Sequence, residues 1–311
     1  MEKIKLSINP TYYCNFRCKF CYLSEDQLSD PKKLLLDTLL HRLNEIGSFR
    51  LIESVDIYGG EVSLLSEDYF RDLKRIIRAY YSDPISVITN LKVVRPYLLT
   101  DDIDLSVSWD YFAREHYQVV YENMKSLEIP FHILTLASQE IVNMSDSELD
   151  QYVISLNQLQ NLKTIEIKPY SFNKYNKQSV TFKEYEVFIK RLITKKNSFK
   201  FDFINELKIK ESLQKKYSSW SDDHLYIDPA GDYRVLEFTD DGEEYFEKVN
   251  TFLDYEKWAA KEKLQVKNNS YCGSCKYLGH CLSEHLQMVK STENSCNGFY
   301  NLLDWYENER L

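Results

Sequence analysis

Apolar and polar residues alternate strictly along residues 3–9 (KIKLSIN), the pattern of a strand with one buried face. The same signature, with β-branched residues and turn residues around it, recurs at 51–58 (LIESVDIY), Ile85–Thr89 (ISVIT), Ile103–Ser108 (IDLSVS), Phe131–Leu136 (FHILTL) and 164–168 (TIEIK). Helical spacing fills the gaps. Asp30-Pro31 precedes Leu34, Leu35, Leu39, Leu43 and Ile46, and proline suits a first helical turn because its missing N–H would be unpaired there anyway. Further helices are predicted from Ser66 to Tyr81, over 114–127 and over 146–156. Repeated βα units imply an α/β fold with a parallel sheet and right-handed crossovers. Six of them predict a partial (β/α)6 barrel of TIM type, with functional residues at the C-terminal ends of the strands.

The pattern changes after about residue 200. Residues 224–238 (HLYIDPAGDYRVLEF) read as two short strands around Pro229-Ala230-Gly231-Asp232, a hairpin, and a helix with Tyr255, Trp258, Ala259 and Leu264 follows. The expected division is 1–200 for the partial barrel and 201–311 for a small α+β domain of hairpin plus helices. Residues 171–178, rich in Lys, Asn and Tyr, read as a surface loop. No apolar run is long enough to span a bilayer, and the N-terminus carries no secretory signal, so the expectation is a cytoplasmic protein without a membrane partner. The first strand begins at about residue 3, leaving no room before it for a leader-binding domain. With 48 acidic against 39 basic residues the net charge is −9, which disfavours a nucleic-acid partner. The 24 tyrosines and 16 phenylalanines are expected to fill the core and cover its rim.

The seven cysteines change the picture. They stand at 14, 18, 21, 272, 275, 281 and 296, with none over residues 22–271. An odd number in two tight groups fits two metal sites better than a disulfide framework. Cys14-x3-Cys18-x2-Cys21 offers three thiolates, enough for three irons of a four-iron cluster with one iron left open. A zinc site completed by a distant His or Cys fits the same spacing. Cys272-x2-Cys275-x5-Cys281-x14-Cys296 would saturate either a four-iron cluster or a structural zinc.

The triplet, with aromatic Phe20 just before its last cysteine and a predicted strand before its first, resembles the radical S-adenosylmethionine (radical SAM) enzymes, whose signature is C-x3-C-x-aromatic-C. Gly59-Gly60-Glu61 after the second strand resembles that family's GGE motif. Thr89-Asn90 after the third resembles a pair found there, 106–110 (SVSWD) resembles an S-L-D-G stretch, and 165–170 (IEIKPY) lies where adenine contacts are usual. The resemblance implies a [4Fe–4S] cluster on Cys14, Cys18 and Cys21 that binds SAM at its open iron. It implies Gly59, Gly60 and Glu61 around the SAM amino group, Ser108 and Arg114 on its carboxylate, and Phe20 and Asn90 in the same site. Glycine permits close backbone approach to a ligand, and a carboxylate accepts charge-assisted bonds from ammonium. Trp109-Asp110-Tyr111 departs from L-D-G, which loosens the Ser108 and Arg114 assignments. Asp110, Lys168 and Tyr170 are candidates for the catalytic base by their place at the barrel rim; His116 and His132 are read as structural.

The hairpin, helix and C-x2-C-x5-C order resembles the SPASM and twitch extensions that carry auxiliary iron–sulfur clusters. Because the ligands of a first auxiliary cluster are missing, the resemblance implies a shortened domain with one auxiliary [4Fe–4S] cluster on Cys272, Cys275, Cys281 and Cys296. It implies reductive cleavage of SAM and hydrogen abstraction from a substrate, foremost a ribosomally made peptide undergoing cross-linking or oxidation. No cysteine is left over to donate a hydrogen atom, as some peptide epimerases require. The expected partners are that peptide, a separate leader-binding protein, and an electron donor such as flavodoxin or ferredoxin. The other readings are a twitch-type small-molecule dehydrogenase or oxidase and a non-enzymatic zinc-binding protein.

Overall fold

The computed structural model describes residues 2–170, 173–175, 180–239, 244–282, 296 and 298–309. Ten strands form one sheet: β1 (Lys3–Ile8), β2 (Leu51–Ile57), β3 (Ile85–Thr89), β4 (Ile103–Ser108), β5 (Phe131–Leu136), β6 (Leu162–Lys168), β7 (Asp202–Phe203), β8 (His224–Ile227), β9 (Tyr233–Phe238) and β10 (Glu244–Val249). Their order is β10-β9-β8-β1-β2-β3-β4-β5-β6-β7. From β1 to β7 every neighbour is parallel, as βα crossovers require. The chain then returns to the other edge, where β8 pairs parallel with β1 and the hairpin partners β9 and β10 continue antiparallel. The fold is thus mixed α/β with a largely parallel sheet, as the six-unit alternation predicts, and the predicted hairpin extends that same sheet.

The helices are α1 (Glu25–Ser29), α2 (Leu36–Gly47), α3 (Glu67–Arg78), α4 (Tyr117–Lys125), α5 (Gln139–Val142), α6 (Asp146–Asn157), α7 (Phe182–Lys195), α8 (Ile204–Leu213), α9 (Phe252–Asn268) and α10 (Tyr300–Glu309). None of the described helices is long and apolar enough to cross a membrane. Two starts differ from expectation. Ser24 caps α1 through a reciprocal pair with Gln27, and Asp30 ends that helix in extended backbone. A residue before proline is steered out of helical backbone, so Pro31 follows a helix end and α2 starts at Leu36. Helix α4 starts at Tyr117 rather than near Arg114, because His116 takes a left-handed conformation that interrupts the turn.

The strand alternation sorts two faces. Ile4, Leu6, Ile8, Val55, Ile57, Val87, Leu105, Val107, Ile133 and Ile165 are buried in the apolar cores. Under β1–β3 that core includes residues of α2, α3 and α9; under β4–β6 it includes residues of α4, α6, α7 and α10. Residues at the other parity, among them Ser7, Asp56, Ser86, Ser106, Glu166 and Lys168, line a cavity. In a closed barrel the inward positions form packed layers of branched apolar side chains; here many of them are polar and they leave space. The predicted loop at 171–178 lies mostly outside the described residues. Of the part described, Tyr175 is exposed and Asn173 is buried at the cavity wall.

Candidate active site

The cavity holds about 570 Å³, within the roughly 300–1,000 Å³ usual for small-molecule sites. Chain segments that follow the strands wall it. Cys14, Phe20, Cys18 and Cys21 come from the loop after β1, Gly59, Gly60 and Glu61 from the turn after β2, and Asn90 from the end of β3. Ser108, Asp110 and Arg114 come from the end of β4 and the turn beyond it, and Lys168 and Tyr170 from the end of β6. The structure therefore gathers around one space every candidate from the N-terminal part of the sequence. The four C-terminal cysteines are not in its wall.

The two glycines serve the chain itself. Gly59 has φ of 141°, and a Cβ there would stand 2.6 Å from the Thr11 carbonyl oxygen. A Cβ on Gly60 would stand 2.2 Å from the Tyr13 carbonyl oxygen. The backbone of 11–13 lies directly on this turn, with Gly60 N donating to Thr11 O and Glu61 N to Tyr13 O, both at 2.8 Å. Cys14 follows at once, so the turn sets the height of the cysteine loop.

Glu61 is buried, and its carboxylate is occupied from within. Oε1 accepts from Ser63 N at 2.9 Å and from Thr89 Oγ1 at 2.5 Å, and Oε2 accepts from Asn90 N at 2.7 Å. A carboxylate has about four acceptor positions, so about one remains for a ligand ammonium. Its main work is to lock the end of β3 onto the turn after β2. Asn90 continues the chain of contacts, its amide donating to Asn15 Oδ1 at 2.8 Å.

Arg114 is buried against Asp110, with Nε and Nη2 on the same Oδ2 at 3.0 and 2.6 Å. Asp110 Oδ1 accepts from Leu136 N at 2.8 Å. Nη1 of Arg114 bonds no other described residue, and the guanidinium lies over the rings of Phe16 and Phe20 at 5.6 and 5.5 Å. Burial works against its charge, but Asp110 and the thiols of Cys18 and Cys14 outweigh that, so the proton is held more firmly than usual. Asp110 is thus an ion-pair partner that orients a cation, not a free base. Lys168 pairs with Glu166 at 3.0 Å, and Tyr170 meets Phe20 edge-on at 6.3 Å. Trp109, where the motif departs from the family pattern, is a core residue stacked on Tyr152. His116 stacks on Phe16, and His132 sits between Thr164 and Asp104.

The N-terminal thiols share one neighbourhood. Burial pushes Cys18 up to about 12 and raises Cys14 and Cys21 too, while Arg114 pulls all three down. Backbone N–H groups of Phe16 and Leu23 point at Cys14 Sγ and Cys21 Sγ at 3.4 Å. Such donors suit thiolates that a metal group keeps deprotonated. A four-iron cluster takes its thiolates on separate irons and keeps one iron open, and three thiols of one loop facing one cavity suit such a group.

Among the C-terminal cysteines, Cys272 feels the charge of Cys296 and Cys275, Cys275 feels that of Cys296, and burial pushes Cys272 up to about 11. Cys281 is buried in the same apolar cluster as Cys272. Gly273 makes the first turn possible, since a Cβ there would stand 2.3 Å from the Lys267 carbonyl oxygen at the end of α9. Among the cavity residues that the sequence did not single out are Tyr22 and Asp56.

Residues 8–105 match the family model described as the radical SAM superfamily. No curated protein matches the sequence. Among solved structures, native anSMEcpe with bound AdoMet superposes with a TM-score of 0.69 at 16% identity, covering 98% of this chain and 96% of that one. The same protein with AdoMet and Cp18Cys peptide gives 0.68 at 17% identity, again covering 98% and 96%. Streptococcus suis SuiB bound to precursor peptide SuiA gives 0.61 at 15% identity, covering 90% of this chain and 71% of that one. At these identities the likeness is one of fold.

Proposed function

We propose that the protein is a radical SAM enzyme that modifies a peptide. The carrying observation is the meeting of the Cys14–Cys18–Cys21 loop, the Gly59–Gly60–Glu61 turn and the Arg114–Asp110 pair at one cavity beyond the strand ends. The family match over residues 8–105 supports it. Cys14, Cys18 and Cys21 would hold a [4Fe–4S] cluster. When bound, the cluster supplies a low-potential electron and SAM the hydrogen-abstracting group. The chain's part is placement. Asp110 fixes the Arg114 fork, whose Nη1 would serve the SAM carboxylate; the Gly59–Gly60 backbone would receive its amino group, and Phe20 with Tyr170 would keep water from the reacting end.

The finer reading is a ribosomally made peptide that is cross-linked or oxidised, in the cytoplasm, with electrons from flavodoxin or ferredoxin and a separate leader-binding protein. Both kinds of superposed structure carry peptides in their descriptions. The 201–311 part is read as a shortened SPASM- or twitch-like domain whose quartet holds one auxiliary [4Fe–4S] cluster. With all seven cysteines used as ligands, no thiol remains to return a hydrogen atom, which favours oxidation over epimerisation.

The test is paired. Anaerobically reconstituted protein should carry about eight irons, the sum of two four-iron clusters, and form 5′-deoxyadenosine from SAM and dithionite. The Cys14→Ala/Cys18→Ala/Cys21→Ala variant should retain about four irons and form none. A colourless protein with tightly held zinc, or unchanged SAM cleavage in the triple variant, overturns the reading.

A further inference from the structure

The cavity extends past the candidate SAM site toward β1, β2 and β8, where two side chains lack the partners their chemistry asks for. Asp56 is inward-facing on β2, in register with Ser7 on β1 and Ser86 on β3. The charges that bear on it are Lys168, Lys5 and Asp104. Both lysines hold other carboxylates, Lys168 that of Glu166 at 3.0 Å and Lys5 that of Asp223 at 2.9 Å. Asp104 is engaged by His132 at 2.8 Å. Lys208, from α8, also turns to Glu166. The neighbouring carboxylates Asp104, Glu166 and Asp223 are thus each engaged by His132, Lys168, Lys208 or Lys5, whereas Asp56 has no ion pair among the described residues. Burial raises its carboxyl, against the pull of the Ser86 hydroxyl and Lys168. A desolvated carboxylate without a cation is costly, and an incoming cation relieves that cost.

The second side chain is Tyr22. Its hydroxyl is buried in the cavity wall and has no hydrogen-bond partner among the described residues. The ring packs on Phe246 at 5.3 Å, and Phe246 packs on Tyr226 at 4.8 Å. Tyr58 joins the same small apolar cluster. Tyr58 lies two residues beyond Asp56 on the same parity, about 6.6 Å above the carboxylate along the strand, and Tyr226 stands level with Asp56 because both are in register with Ser7. An aliphatic stem of three or four carbons ending in a cation spans that depth.

We propose that this end of the cavity is a subsite for a lysine- or arginine-type side chain of the substrate. Asp56 takes the cationic head, the wall of Tyr58, Tyr226 and Phe246 takes the stem, and Tyr22 Oη donates to a backbone carbonyl of the same peptide. The proposal builds on the peptide-modifying reading and names the residue class that the cavity selects.

The experiment measures binding, not turnover. Reconstituted protein with SAM is titrated calorimetrically with N-acetyl-lysine methylamide and with N-acetyl-norleucine methylamide, its neutral isostere. The lysine probe should bind at least about tenfold more tightly, as a desolvated charge-assisted contact gives. Asp56→Asn should level the two probes with melting temperature and iron content retained. Tyr22→Phe should weaken both equally. Equal affinities in the wild type, no heat from either probe, or a lysine preference that survives in Asp56→Asn each overturn the proposal; the wild-type comparison needs no variant to fold. The two readings fail separately. Loss of the preference with normal SAM cleavage removes the subsite alone. A preserved preference in a protein that never cleaves SAM removes the radical reading and leaves a cation-binding lumen.

Discussion

Glu61 and Thr89 join the ends of two neighbouring strands through a buried 2.5 Å hydrogen bond, and Asn90 N adds a second to the same carboxylate at 2.7 Å. This carboxylate belongs first to the scaffold. Glu61→Ala would leave the Thr89 hydroxyl and the Asn90 and Ser63 amides without their acceptor. A loss of about 3–5 kcal/mol is expected from buried donors stripped of a charged partner. Glu61→Gln should lose less, since one amide oxygen still accepts. Urea unfolding of both variants checks the order.

Gly60→Ala should act on the cysteine loop. Its Cβ would meet backbone at 2.2 Å, the Tyr13 carbonyl oxygen, and backbone cannot rotate away as a side chain can. The loop before Cys14 must rise. Iron at the N-terminal site should fall while iron at the C-terminal quartet persists, read by Mössbauer spectroscopy. Equal retention at both sites would show that the loop tolerates the displacement.

These residues also mark what the sequence makes legible. Period-two alternation located β1 to β6, because one parity faces an apolar core. The same alternation hid Asp56, since a polar residue facing a lumen looks like one facing solvent. The GGE motif was readable as a string, yet the bonds from Glu61 to Thr89 and Asn90 join strands that only folding brings together. Helix α7 was not among the predicted helices, although its apolar residues at 182, 185, 188, 189, 192 and 193 form a helical stripe. By contrast α8 buries Asn205, Glu206 and Ser212, and so has no apolar stripe to find. The pairing of β8 with β1 leaves no local trace, because it depends on strands far apart in sequence.

Glu206 is the anchor of the C-terminal helix. Its carboxylate accepts from Tyr306 Oη at 2.6 Å and pairs with Lys196. Burial alone would raise it, but Lys196, Tyr306 and Lys210 together bring it below the ordinary range. A depressed carboxyl stabilises the fold fully above its unfolded pKa of about 4.3, and that contribution fades as pH falls through the lower folded value. Acid should therefore loosen α10 first. Trp305 stands beside Tyr306 on that helix, so its fluorescence should shift at low pH in the wild type. Glu206→Gln should show a smaller pH dependence below about pH 4.

Arg114 separates a structural role from a binding one. Arg114→Met leaves Asp110 buried beside Leu136 N without its cation, a change expected to cost about 3–5 kcal/mol. It also removes the free Nη1, so SAM affinity should drop by about tenfold or more, the scale of a lost charge-assisted contact. Adding Asp110→Asn removes the stranded charge. The double variant should therefore recover most of the stability and none of the SAM affinity. Thermal unfolding and SAM calorimetry on the two single variants and the double form the cycle. If stability and SAM affinity recover together, Arg114 only supports the fold, and the SAM carboxylate must be held elsewhere in the cavity.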